Sequence, residues 1–224
     1  MTSPELVLML LADARLPTGG HTQSAGLEPA VHAGLADDGR RLREVVDYAR
    51  DRLRTVARVD AGTAVVARAM VRADENPLRT EPHWAARTPS AVLRAASRRQ
   101  GRGYLRLASR VWPSVLDHLP ADAEIPRPVV LGVVAAVTGL SAEQTALLAG
   151  YDDAQTVVAA SLKLLPVDPG EAAGWVVSLH SDMARMAEDL AGLSEPDRIP
   201  ASGAPLIDAF AELHATRGMR LFHV

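Results

Sequence analysis

The chain has 224 residues, no cysteine and a formal net charge of −3. That length suits one large domain or two small ones, with a core that needs no staples. Disulfides and thiolate metal sites are excluded, the balance tilts toward a cytoplasmic protein, and a general electrostatic affinity for nucleic acid is not expected. Ser3-Pro4-Glu5 reads as an N-cap, an N1 proline and an acidic first turn. The helix it opens, through Ala14, is apolar on nearly every side, which suits either the centre of a core or cover by a partner. It is too short to span a membrane and has no basic residue before it, so it reads as neither span nor signal peptide. Pro17, Gly19 and Gly20 then make a sharp turn, with Gly26 just beyond, and Thr22 or Ser24 is placed to cap a second helix over 22–32. After Asp37-Asp38-Gly39, apolar residues recur at three and four (Leu42, Val45, Val46, Ala49, Leu53, Val56). The opposite face is charged and includes Arg50, Arg52 and Arg54, so it is expected to be solvated. The apolar pattern resumes beyond Asp60. Residues 76–89 hold three prolines and no periodicity, and read as a loop with one helical turn. A helix from about 90 to Pro113 carries Gly101 and Gly103 in its middle, which signals close backbone packing or a bend. Residues 120–128 read as a linker and Val129–Thr138 as a buried helix. Ser141-Ala142-Glu143-Gln144 is a capping box opening a long helix to Leu165. Asp168 to Leu190 reads as one further helix, 196–205 as a loop, and Leu206–His214 as a last helix. No period-two alternation suggests a strand. The expectation is an all-α single domain, residues 1–224, of about eight helices.

Four stretches carry a family pattern. The first is Leu16-Pro17-Thr18-Gly19-Gly20 followed by Gly26-Leu27-Glu28; the second is Ser97-Arg98-Arg99-Gln100-Gly101-Arg102. The third is the helix from Gln155 to Pro166 with Lys163 near its end, and the fourth is His214-Ala215-Thr216-Arg217-Gly218-Met219-Arg220-Leu221-Phe222. Their sequence and order resemble the UreF family of urease accessory proteins. The chain departs from that pattern at His21 and Gln23, where the family has aromatic residues, at Val167-Asp168-Pro169-Gly170-Glu171, and at Gly218. The resemblance implies a non-enzymatic helical scaffold without a cofactor of its own. It would form a homodimer, bind the accessory protein UreD (UreH), recruit the GTPase UreG and modulate its GTP hydrolysis, and present the assembly to apo-urease for nickel insertion. The region matching Lys163 is thought in the family to face the nucleotide-binding partner.

Other constellations compete with that reading. His21, Glu28 and His32 share a face if the second helix starts at His21, and such a set ligates a divalent metal such as nickel; the plainer reading is a polar surface. His180 with Asp182, or Asp152 with Asp153, would serve a stand-alone helical enzyme or small-ligand protein, although residues two apart do not face each other on a helix. Gly101-Arg102-Gly103 lacks the flanking elements of a phosphate loop. Arg94, Arg98, Arg102, Arg106 and Arg110 make a basic stripe, either solvated or complementary to an acidic partner. Lys163, the only lysine, suits the C-terminal dipole of its helix and equally a contact with a partner. Arg220, Leu221 and Phe222, with Met219, form a tail that packs on its own domain or anchors in another protein.

Overall fold

The computed structural model describes residues 3–216 and 221–222, with the side chain of His21 outside that description. Every regular element among the described residues is helical. At the centre, α4 (Val56–Arg72) packs on α7 (Arg127–Thr138), the most extensive contact in the fold. Both are built from Ala, Val and Gly, so their backbones meet closely. A Cβ on Gly132 would stand 2.3 Å from the Ala64 carbonyl oxygen, so only glycine fits there. The valines of α7 face the core all round, as an apolar helix without a polar stripe must.

A long helix, α8 (Ala142–Leu164), lies across α4 and α3 (Arg43–Arg54) and is flanked by α10 (His180–Leu190). Its start is the expected capping box. Ser141 Oγ accepts the Gln144 N–H at 3.0 Å, and Gln144 Oε1 accepts the Ser141 N–H at 2.8 Å. One continuous hydrophobic core runs from Val7 in α1 (Pro4–Leu11) to Phe222 in the tail. No helix among the described residues is long and apolar enough to cross a membrane.

Several element boundaries differ from the sequence reading. The α3–α4 pattern breaks at Thr55, whose φ and ψ of −124° and −100° leave the helical region. The segment expected as one helix from Asp168 divides at Leu179 into α9 (Pro169–Ser178) and α10. Residues 76–89 contain a full helix, α5 (Thr80–Ala86), because Trp84 is buried against α4 and draws its turn into the core. The second helix, α2 (Leu27–His32), starts five residues later than expected: Gly26, not Thr22, holds the N-cap position, in the left-handed region at φ 77°. Ser24 Oγ nonetheless accepts the Glu28 N–H at 3.4 Å. A long helix α6 (Ala91–Val111) and a last helix α11 (Pro205–Ala215) complete the order. The all-α fold of about eight helices is borne out; divided at such short breaks, the described residues form eleven α-helices joined by short 3₁₀ turns.

Two faces stay apolar and uncovered. In α1, Val7 and Leu11 are buried while Leu6, Met9 and Leu10 face solvent. In α11, Leu206 and Leu213 lie on the outer side. The apolar first helix is therefore peripheral, with one stripe in the core and another open.

Candidate functional site

The signature turn is held from beneath by three helices. Gly19 takes a left-handed φ of 82°, Gly20–Thr22 forms a single 3₁₀ turn, and Ala25 and Gly26 are both left-handed at 53° and 77°. A non-glycine residue in that region is strained and needs support. Two groups from α3 supply it: Tyr48 Oη and Arg52 Nη1 each donate to the Ala25 carbonyl at 2.8 Å. A Cβ on Gly26 would lie 2.7 Å from Tyr48 Oη, so glycine is required for that clamp. On the opposite side α6 presents Gly103, where a Cβ would be 2.9 Å from the Thr18 carbonyl oxygen.

Arg52 is in turn fixed by α8. Its Nε and Nη2 donate to both oxygens of Asp153, at 2.9 and 2.6 Å. The neighbouring Arg127, at the start of α7, pairs with Asp152. Burial alone would pull both guanidinium pKa values down, but the adjoining carboxylates outweigh it and hold them up. Asp60 on α4 completes the cluster: it accepts from Trp84 Nε1 at 2.8 Å, and burial pushes its carboxyl up in spite of that bond. Burial likewise raises the Tyr48 and Tyr104 phenols.

Above this cluster is a cavity of about 270 Å³ to which all four family-like stretches contribute. Thr18 and Gln23 come from the first, Gln100 from the second, Gln155, Thr156 and Lys163 from the third, and Phe222 from the fourth. A smaller cavity of about 110 Å³ shares Gln23, Gln100, Arg127, Asp152 and Thr156 with it. Segments up to two hundred residues apart in sequence thus meet at one mixed polar and apolar recess.

The tail closes the recess. Glu28, 2% exposed, accepts the Leu221 N–H with Oε1 at 2.8 Å and the Phe222 N–H with Oε2 at 3.0 Å. His214 Nε2 lies 3.0 Å from the Phe222 carbonyl oxygen, which only accepts, so that nitrogen carries the hydrogen. The Phe222 ring is buried and the Lys163 ammonium sits 5.0 Å from its centroid, while the Leu221 side chain points to solvent. The alternative of a tail packed on its own domain is therefore realised at Phe222. Gly218, Met219 and Arg220 lie outside the described residues.

The competing constellations come apart. With α2 beginning at Leu27, His21 does not share its face; the His21 side chain is outside the description, and Glu28 is engaged by the tail. His32 Nε2 is 3.9 Å from Glu28, and no metal-holding group of three such side chains exists among the described residues. His180 borders a shallow apolar groove beside Leu8 and Met9, whereas Asp182 is turned to Arg50 at 3.1 Å. Asp152 and Asp153 are each occupied by an arginine. Three members of the arginine stripe are engaged internally: Arg94 with the Thr88 and Pro89 carbonyls, Arg98 with Glu81, Arg102 with Glu124. Arg106 and Arg110 make no ion pair among the described residues and face solvent.

Sequence reasoning missed Arg52, Asp60 and Arg127, and placed Arg52 on a solvated face although it is 8% exposed. A usable signal existed. Arg52 is in phase with Val45, Ala49 and Val56, and Asp60 with Ala57 and Ala64, so each is a charged residue standing in an apolar stripe. Comparison with known proteins agrees with the geometry. The family model described as UreF matches residues 40–180. A protein from Mycobacterium sp. (strain JLS) named urease accessory protein UreF is 38% identical over 224 residues, covering 96% of each chain. Its namesake from Mycolicibacterium vanbaalenii is 39% identical with the same coverage, and that of Mycobacterium marinum is 37% identical, covering 96% of this chain and 97% of its own.

Proposed function

Since this chain belongs to the UreF family of urease accessory proteins, we propose that it works as a cytoplasmic scaffold in nickel delivery. It dimerises, binds UreD (UreH), recruits the GTPase UreG, and promotes nickel insertion into apo-urease, with nickel as the cargo of the assembly. Its contribution is binding energy. Coupling to nucleotide state requires that it bind one state of the GTPase more tightly than another.

The observation that carries this reading is the meeting of all four family-like stretches around one recess, with Lys163 and the tail at its rim. Exposed Leu6, Met9 and Leu10 on α1, and Leu221 on the tail, add the apolar anchors that partner surfaces use. The enzyme alternative draws no support from the site, since its carboxylates are held by Arg50, Arg52 and Arg127. A role in nucleic-acid binding is disfavoured by the net charge of −3 and by the internal engagement of three of the five arginines of the stripe.

The test is co-expression with UreD and UreG and measurement of the complex mass by light scattering, for the full chain and for one ending at Thr216. The scaffold reading expects an assembly with the full chain that is lost on truncation. Lys163→Ala should leave the stability of the chain within about 1 kcal/mol, the scale of a single exposed cation–π contact, while weakening capture of UreG. Failure of the full chain to join either partner would refute the reading.

A further inference from the structure

Helix α6 carries six arginines and no acidic residue over its 21 positions. The whole chain has 24 basic residues and a net charge of −3, so what lies outside this helix is more acidic still. The inner face of the helix is tightly seated. Tyr104, Leu105 and Ala108 are buried, and Gly101 lies against the Ile125 carbonyl with no room for a Cβ. The arginines therefore stand on a helix that is fixed in place. At about 100° and 1.5 Å per residue, Arg99, Arg102, Arg106 and Arg110 fall within a sector of about 80° and span about 17 Å. All four are exposed, and among the described residues only Arg102 has an ionic partner, Glu124. Toward the start of the helix this ridge widens into an open groove of about 550 Å³ among Arg94, Arg98, Arg99 and Arg102, with Glu124 as its one carboxylate. Two of the groove's guanidinium groups are pinned. Arg98 is held by Glu81 at 2.6 Å and lies 5.7 Å from the Trp84 ring centroid, and Arg94 donates to the Thr88 and Pro89 carbonyls at 2.7 and 2.6 Å. Those carbonyls are neutral, so Arg94 is positioned without losing its charge to a partner.

We propose that the outer face of α6 is a docking surface for an acidic protein segment, whose carboxylates run along Arg110, Arg106 and Arg99 and end in the groove at Arg94. A guanidinium pairs with a carboxylate as a planar fork, and one that is already pinned loses little freedom on pairing. The open arginines at 99, 106 and 110 act at longer range and steer the approach. The ridge is one helix wide and the chain around it is net acidic. A nucleic acid or an anionic membrane laid across it would be repelled on either side, whereas a protein segment meets the ridge alone. The inference rests on the scaffold reading, which supplies protein partners, and adds where one of them lands and by what chemistry.

The test tethers the full chain to a sensor surface and follows the rates at which UreD, UreG and apo-urease, singly and together, associate with it. Salt is set at about 0.1 M and about 1 M, where the screening length falls from about 10 Å to about 3 Å. The double variant Arg106→Glu, Arg110→Glu should slow association with at least one partner by about tenfold or more at the lower salt, and the gap should shrink at the higher. Neither residue has an ionic partner among the described residues, so the variant should melt with the parent. If it unfolds, Arg106→Gln, Arg110→Gln serves instead, with a smaller slowing of the same sign. Arg72→Glu, Arg198→Glu makes the same change in net charge at two exposed positions away from α6 and should associate as the parent does. Equal rates for the parent and the folded ridge variant overturn the docking surface while the scaffold reading stands. Equal slowing by the Arg72, Arg198 variant overturns it too, because net charge alone would then explain the effect. Capture of duplex DNA that is lost in the ridge variant, with protein association unchanged, would give the ridge a different occupant and overturn the proposal. Failure of the parent chain to join any partner refutes the scaffold reading and this inference with it.

Discussion

Replacing Arg52 by methionine is the sharpest perturbation of the site, because one guanidinium joins two parts of it. The residue is 8% exposed, grips both oxygens of Asp153, and supports the strained Ala25 carbonyl. Methionine fills a similar volume but leaves the Asp153 carboxylate, whose side chain is 13% exposed, without its counter-charge. Removing one partner of a buried ion pair costs about 3–5 kcal/mol, and at this burial solvent screening discounts little of it. Against a total stability of about 5–15 kcal/mol, that is about a fifth or more of the margin. For a chain of this size it corresponds to a fall in Tm of roughly 6–20 °C. The double variant Arg52→Met, Asp153→Leu exchanges the pair for apolar groups. It should recover about 2 kcal/mol or more of the loss, because no uncompensated charge remains. Ala25 keeps Tyr48 as a donor in both backgrounds. Urea denaturation of the parent, the two single variants and the double variant closes the cycle. Single losses that simply add, or an Arg52→Met loss below about 1 kcal/mol, would refute the claim that a coupled buried pair holds the turn.

Burial raises the folded pKa of Asp60 above its unfolded value, so its contribution favours folding at low pH and is lost as pH rises through the raised folded value. Asp60→Asn keeps an acceptor for Trp84 Nε1 and should be more stable than the parent at pH 7, with the gap closing below about pH 4; urea midpoints at the two pH values check it, and a gap of opposite sign refutes it. Gly101→Ala puts a Cβ 1.9 Å from the Ile125 carbonyl oxygen, so the linker backbone must move. Overpacking of about 1–3 kcal/mol or more should outweigh the roughly 1 kcal/mol gained in helix propensity. Gly174→Ala on α9 meets nothing within 4 Å and should instead stabilise by about 0.5–1 kcal/mol, so thermal melts of the two should shift in opposite directions.

What was legible in the sequence was local or periodic. The capping box at Ser141, the buried helix after Pro126 and the all-helical class follow from propensity, capping chemistry and apolar spacing over a few turns. The glycines of α6 were correctly read as sites of close approach, although what approaches them, Ile125 and Thr18, lies tens of residues away. What escaped was set by contacts across the fold. Nothing near Thr55 or Leu179 announces a break; Thr55 leaves the helical region, and Leu179, fully buried, separates two helices that both pack on α8. The same holds for α5, which exists because Trp84 reaches Asp60 on α4. Glu28 looked like a surface carboxylate because its partners lie almost two hundred residues downstream.

The two halves of the site are tied together by α8. Asp153 secures Arg52 and through it the signature turn, Thr156 lines the recess, and Lys163 covers the ring of Phe222. From Asp153 to Lys163 the helix advances about 15 Å at 1.5 Å per residue, without a break. The separation between turn and tail seat is therefore set by a continuous helix whose other faces pack on α3, α4 and α10. That explains why residues so far apart in sequence keep one geometry. It also means that loss of Asp153 should loosen the turn while leaving the tail bound to Glu28 and His214, since those hydrogen bonds come from α2, α11 and the tail alone. With Asp153→Leu, the Phe222 amide should keep its slow exchange while proteolysis within residues 16–26 becomes faster. Simultaneous loss of both would show that turn and tail form a single cooperative unit.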